Sequence, residues 1–76
     1  MYVEYDRLND ISVFIRENRK KYGYTQKEFA ELTKLGLRFV RELEQGKLNL
    51  KMDKVLTALN FFNFTLTVKE KPNNYL

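Results

Sequence analysis

The chain has 76 residues, fourteen Lys or Arg against ten Asp or Glu, a net charge of +4, and neither cysteine nor histidine. A single domain of this size buries only about 60% of the surface its unfolded chain exposes. The missing residue types exclude disulfides, thiolate metal sites and the commonest general base, which leaves a second subunit as the support a small core needs.

The positive charge is concentrated. Eleven basic and six acidic residues lie between Arg16 and Lys54, against three and four in the two flanks. Such a footprint suits nucleic acid, and equally a solvated basic surface. No apolar run is long enough for a bilayer. The stretch from Met1 to Asp6 lacks the apolar core of a signal peptide. The expectation is a cytoplasmic protein without cofactor or metal. No Gly-rich phosphate loop is present either, and the carboxylates are scattered or face Arg and Lys, so an enzyme is not expected.

The spacing of Leu8, Ile11, Phe14 and Ile15, continued by Arg19 and Tyr22, predicts a first helix capped by Asn9 or Asp10 and ended by Gly23. Thr25-Gln26-Lys27-Glu28 reads as a capping box opening a short second helix, with Phe29, Ala30 and Leu32 on its apolar face. After a tight connection at Thr33-Lys34-Leu35, Gly36 to Gln45 form a third helix, closed by Gly46, with Phe39 (in part), Val40, Leu43 and Glu44 inward. Met52, Val55, Leu56 and Leu59 give the stripe of a fourth helix, and Asp53 suits its positive end.

The period then changes from helical to two. Phe62, Phe64, Leu66 and Val68 alternate with polar residues, which predicts one strand over residues 62–70 and a loosely ordered tail from Lys71. A lone strand has unpaired backbone groups. Antiparallel pairing with the same strand of a second subunit satisfies them, with those four apolar side chains at the dimer interface. The alternative is pairing with the N-terminal Tyr2-Val3-Glu4-Tyr5.

Residues 25–47, TQKEFAELTKLGLRFVRELEQGK, resemble the helix-turn-helix of the Xre and phage-repressor type. That pattern begins Thr-Gln, has Leu-Ala four residues on, and ends Ile-Glu-x-Gly-Lys. Here Thr25-Gln26, Phe29-Ala30 and Leu43-Glu44-Gln45-Gly46-Lys47 fill those places without a gap. The stretch LGLRFVRELEQGK is similar in particular to the antitoxin-like branch of HipB-type proteins, which also end in a fourth helix and one strand. The resemblance implies a mainly α, four-helix, lambda-repressor-like domain over residues 1–76, its helix-turn-helix core at about 25–46. Three positions depart from the pattern. Lys34 stands where the turn usually has Gly, Gly36 replaces a Ser or Thr cap, and Lys51 replaces a capping Ser, so that Asn49 is expected to cap the fourth helix instead.

A recognition helix offers polar side chains to the major groove. Periodicity places Leu37, Arg38, Arg41 and Glu42 opposite Val40 and Leu43. Arginine can give two hydrogen bonds to guanine O6 and N7, and Leu37 can meet a thymine methyl. Glu42 either accepts from cytosine N4 or pairs with Arg38 one turn away and orients it. Thr25 and Gln26 lie at a helix N-terminus that favours an anion, and the resemblance implies that Gln26 touches phosphate and braces the recognition helix. Lys27, Lys34, Lys47 and Lys51 would add phosphate contacts. The resemblance further implies a buried Arg19–Glu44 ion pair.

The function expected is a homodimeric repressor of a palindromic double-stranded DNA operator that controls its own operon, with a HipA-like kinase toxin as a further partner. The competing expectation is a protein-binding antitoxin or interaction module whose DNA binding is secondary or lost.

Overall fold

The computed structural model describes residues 2–3, 8–47 and 49–66 of the chain. Four helices, α1 (Leu8–Lys21), α2 (Gln26–Thr33), α3 (Leu37–Glu44) and α4 (Met52–Phe61), are flanked by two short strands, β1 (Tyr2–Val3) and β2 (Thr65–Leu66).

Helix α1 starts at Leu8, ahead of both expected caps. Asp10 therefore lies inside its first turn and Arg19, Lys20 and Lys21 in its last, each charge matched to the helix dipole. Gly23 (φ +79°) takes the left-handed conformation that ends the helix. Both halves of the capping box are present on α2. The Glu28 amide donates to Thr25 Oγ1 (3.0 Å), and the Thr25 amide donates to Glu28 Oε1 (2.8 Å). Phe29 and Ala30 are buried, but Leu32 lies outside the core with over half its surface in solvent. With eight residues, α2 turns only a narrow stripe inward.

The turn into α3 uses two left-handed residues. Lys34 (φ +60°) caps α2, and Gly36 (φ +87°) precedes α3 without any side-chain cap. Lys34 thus occupies the place a glycine would hold without strain. Helix α3 is shorter than expected by one residue at each end, Gly36 and Gln45 being its caps. Helix α4 starts from Lys51 rather than Asn49, and Lys51 makes no side-chain cap. Val55, Ala58 and Leu59 form its buried face, with Leu56 half-buried and Met52 exposed at its first turn.

The core joins Ile11 and Ile15 of α1, Phe29 and Ala30 of α2, Val40 and Leu43 of α3, and Val55, Ala58 and Leu59 of α4, closed off by Phe62. Phe62 requires a correction, since it lies outside any strand and is buried in the core of its own chain. It is the C-cap of α4, 5% exposed, stacked face to face on Phe29 (5.2 Å between centroids, 6° between planes) and against Tyr22. The chain turns at Asn63 (φ +65°), a residue type that tolerates the left-handed region. The Phe64 amide returns to the Leu59 carbonyl, and the Phe64 ring packs edge-on against Phe14 (4.6 Å).

The described strand is accordingly short. It pairs in parallel with the chain's own N-terminus, Tyr2 opposite Thr65 and Val3 opposite Leu66. The premise that the strand lacks a partner in its own chain is therefore corrected. Leu66 is half-buried against the core, and Val68 lies outside the described residues.

Two measurements check this packing. Phe62→Ala should cost about 3–5 kcal/mol in a urea titration, as for other buried Phe truncations, and the loss should not vary with protein concentration, as it would for an interface residue. Lys34→Gly should raise stability by about 0.5–1 kcal/mol by relieving the left-handed backbone.

Candidate nucleic-acid interface

Arg19 and Glu44 are among the few charged side chains in the interior, 7% and 6% exposed. Arg19 Nε donates to Glu44 Oε2 (2.7 Å) and Nη2 to Oε1 (3.0 Å), a two-pronged pairing of α1 with the end of α3. The remaining prong, Nη1, donates to the Tyr24 carbonyl (2.7 Å) and fixes the connection between α1 and α2. Gln26 Nε2 donates to Glu44 Oε1 (3.1 Å), so the start of α2 is tied to the same carboxylate. One carboxylate thereby sets the relative placement of three helices. Among the described residues no buried side-chain nitrogen or oxygen lacks a partner. Sequence periodicity gave no sign of the Tyr24 acceptor, because a backbone carbonyl carries no residue signature.

With its rear held by Val40, Leu43 and Glu44, α3 turns Arg38 and Arg41 to solvent, the Arg38 side chain 92% exposed. Leu37 differs from expectation. It is half-buried and packs against the core, so only part of its surface faces outward. Glu42 is half-buried at the edge of this face. Its Oε2 accepts from Lys47 Nζ (3.0 Å) and lies 3.6 Å from Arg38 Nε. The Lys47 hydrogen bond holds the Glu42 carboxyl below the usual carboxylate range; burial opposes it, and the charges of Lys47 and Arg38 add to the lowering. Glu42 is therefore ionised at neutral pH.

Of the two roles open to Glu42, the pairing with Arg38 is present, joined by a contact to Lys47 that a rule of one-turn spacing misses. Lys47 lies five residues on, beyond the helix end at Glu44, and its amide folds back to the Glu42 carbonyl (3.1 Å).

Thr25, Lys27, Lys34, Lys47 and Lys51 are all exposed, and Gln26 is half-buried. Lys54, not singled out by the sequence, lies 5.6 Å above the centre of the Phe39 ring. Among the described residues no group of three acidic, His or Cys side chains gathers as metal ligands, and no helix is long and apolar enough to cross a membrane.

Two short helices set by a tight turn, the second presenting cations outward from a pinned back, define a helix-turn-helix unit. The family model described as helix-turn-helix, of the Xre type, matches residues 15–69, and the chain belongs to that family. The family makes this a DNA-binding regulatory domain, of a kind typically without enzymatic activity. Comparisons with curated proteins and with solved structures returned no match.

The buried pair lends itself to a double-mutant cycle. Arg19→Met or Glu44→Leu alone should cost about 3–5 kcal/mol by leaving an unpaired interior charge, whereas the double variant should recover most of that loss. Denaturant midpoints of the four proteins measure it.

Proposed function

We propose that the chain is a sequence-specific transcriptional repressor that binds a palindromic operator as a homodimer, with α3 in the major groove. The observation that carries this is the pair of exposed guanidinium groups, Arg38 and Arg41, on a helix whose opposite side is locked into the core. That arrangement suits two-pronged donation to guanine, each contact worth about 1–3 kcal/mol of discrimination. Lys27, Lys34, Lys47 and Lys51 contact phosphates and set register without reading sequence. Gln26 has one amide hydrogen on Glu44, which leaves the second for a phosphate. Thr25 uses its amide and hydroxyl oxygen in the capping box, so its hydroxyl proton is the donor left for the backbone.

Dimerisation is supported by the small core and by the two-stranded sheet, each of whose strands has one edge without a ladder partner among the described residues. A second copy joining at that edge relates two recognition helices by a two-fold axis, with half-sites about 34 Å apart or a multiple. Repression by occlusion of the chain's own promoter needs no further part. An antitoxin role toward a HipA-like kinase rests on the resemblance of residues 35–47 alone, and co-purification with such a kinase tests it.

Selection from a random duplex library reads specificity, symmetry and spacing together. A two-fold site should be enriched, and Arg38→Ala and Arg41→Ala should each lose about 1–3 kcal/mol of preference for it over random duplex. Retained preference in both variants would remove α3 from the base-reading role.

A further inference from the structure

Glu42 places a negative charge at the edge of a face whose neighbouring charges, Arg38, Arg41 and Lys47, are positive. On α3 the other acidic residue, Glu44, is buried and committed to Arg19, whereas Glu42 keeps a quarter of its side chain in solvent. Its carboxylate holds Lys47 at 3.0 Å and Arg38 at 3.6 Å. The pairing with Lys47 is anchored twice, since the Lys47 amide also donates to the Glu42 carbonyl.

We infer that Glu42 is a specificity-determining residue that touches no base: it restrains Arg38 and Lys47 from phosphates at non-cognate sites. The inference rests on the DNA-binding reading above. Non-specific affinity comes almost wholly from cations meeting phosphates. Arg38 is a long side chain, 92% exposed, and on any duplex an unrestrained guanidinium there swings to the nearest phosphate. Glu42 draws it back along the helix axis. The Glu42 oxygen approaches the Nε side of the guanidinium, so the edge formed by Nη1 and Nη2 stays available for guanine O6 and N7. The restrained pose thus serves cognate contact and opposes the phosphate-seeking pose. Lys47, its charge offset by the same carboxylate, contributes less to sequence-independent attraction than an isolated lysine.

The test compares the native chain with Glu42→Gln, and with Glu42→Ala as a second variant, on a random-sequence duplex and on the duplex enriched by selection, over a range of salt. Affinity of both variants for random duplex should rise about three- to tenfold, the scale of one unit charge acting across a wet interface. The slope of log affinity against log salt should steepen by about 0.9 for each cation released to phosphate. The enriched duplex should gain less, so the ratio of specific to non-specific affinity falls. Adding Lys47→Gln to Glu42→Gln should take back about 0.9 of the steepening.

An unchanged random-duplex affinity and salt slope in the Glu42 variants would overturn the inference. Loss of preference confined to one C·G pair would also overturn it, in favour of direct contact between Glu42 and cytosine. A native chain that binds neither duplex would overturn the DNA-binding reading itself, an outcome distinct from the first two.

Discussion

The placement of α3 depends on one buried carboxylate. Glu44 accepts from Arg19 through both oxygens and from Gln26 through one of them. Arg19, having satisfied Glu44, uses its remaining donor group on the Tyr24 carbonyl. Helix α1, the connection after it, the first residue of α2 and the last residue of α3 therefore share one network. Apolar packing by Val40 and Leu43 tells α3 which side is inward, but it tolerates sliding and small rotations. Directed hydrogen bonds at fixed lengths do not. The outward direction of Arg38 and Arg41 follows from that difference.

The turn between α2 and α3 imposes the second constraint. Three residues must reverse the chain closely enough for α3 to reach the α1 surface, and two of them, Lys34 and Gly36, have positive φ. Gly36 adopts that backbone freely, while Lys34 holds it because the surrounding bonds leave no alternative: its amide and that of Leu35 close the end of α2 onto Glu31 and Ala30. A lysine here accepts local strain and gains a cation beside the surface assigned to DNA.

Much of this was legible because the signals are local. The capping box of Thr25 and Glu28, the terminating Gly23 and Gly46, and the inward set Val40, Leu43 and Glu44 each depend on spacings of a few residues. Phe62 was not legible for the same reason. Its alternation with Phe64 imitates a strand, and only the left-handed turn at Asn63 and the distant ring of Phe29 make it a helix cap buried in the core. Leu32 and Met52 fit their helical stripes yet face solvent, because short helices offer their neighbours less than a full apolar face. The Glu42–Lys47 contact escaped because it crosses a helix end, where one-turn spacing no longer describes who is near whom. The two-residue pairing of the N-terminal strand with Thr65 and Leu66 joins opposite ends of the chain, and the local pattern favoured the same strand of a second subunit instead.

A buried ion pair adds little stability compared with a well-packed apolar pair of the same volume. A chain of 76 residues has few core positions to devote to anything but apolar packing. That the interior nonetheless holds Arg19 and Glu44, fully hydrogen-bonded, points to orientation rather than stability as their contribution. Orientation matters most where a rigid helix must present side chains to a rigid groove, since bidentate contacts to base edges fail with small displacements. The buried charges fix where α3 lies, and the partly exposed Glu42 limits where one of its arginines points. The same side-chain chemistry, guanidinium on carboxylate, thus operates at two depths: dry and immovable behind the helix, wet and exchangeable on its outer edge.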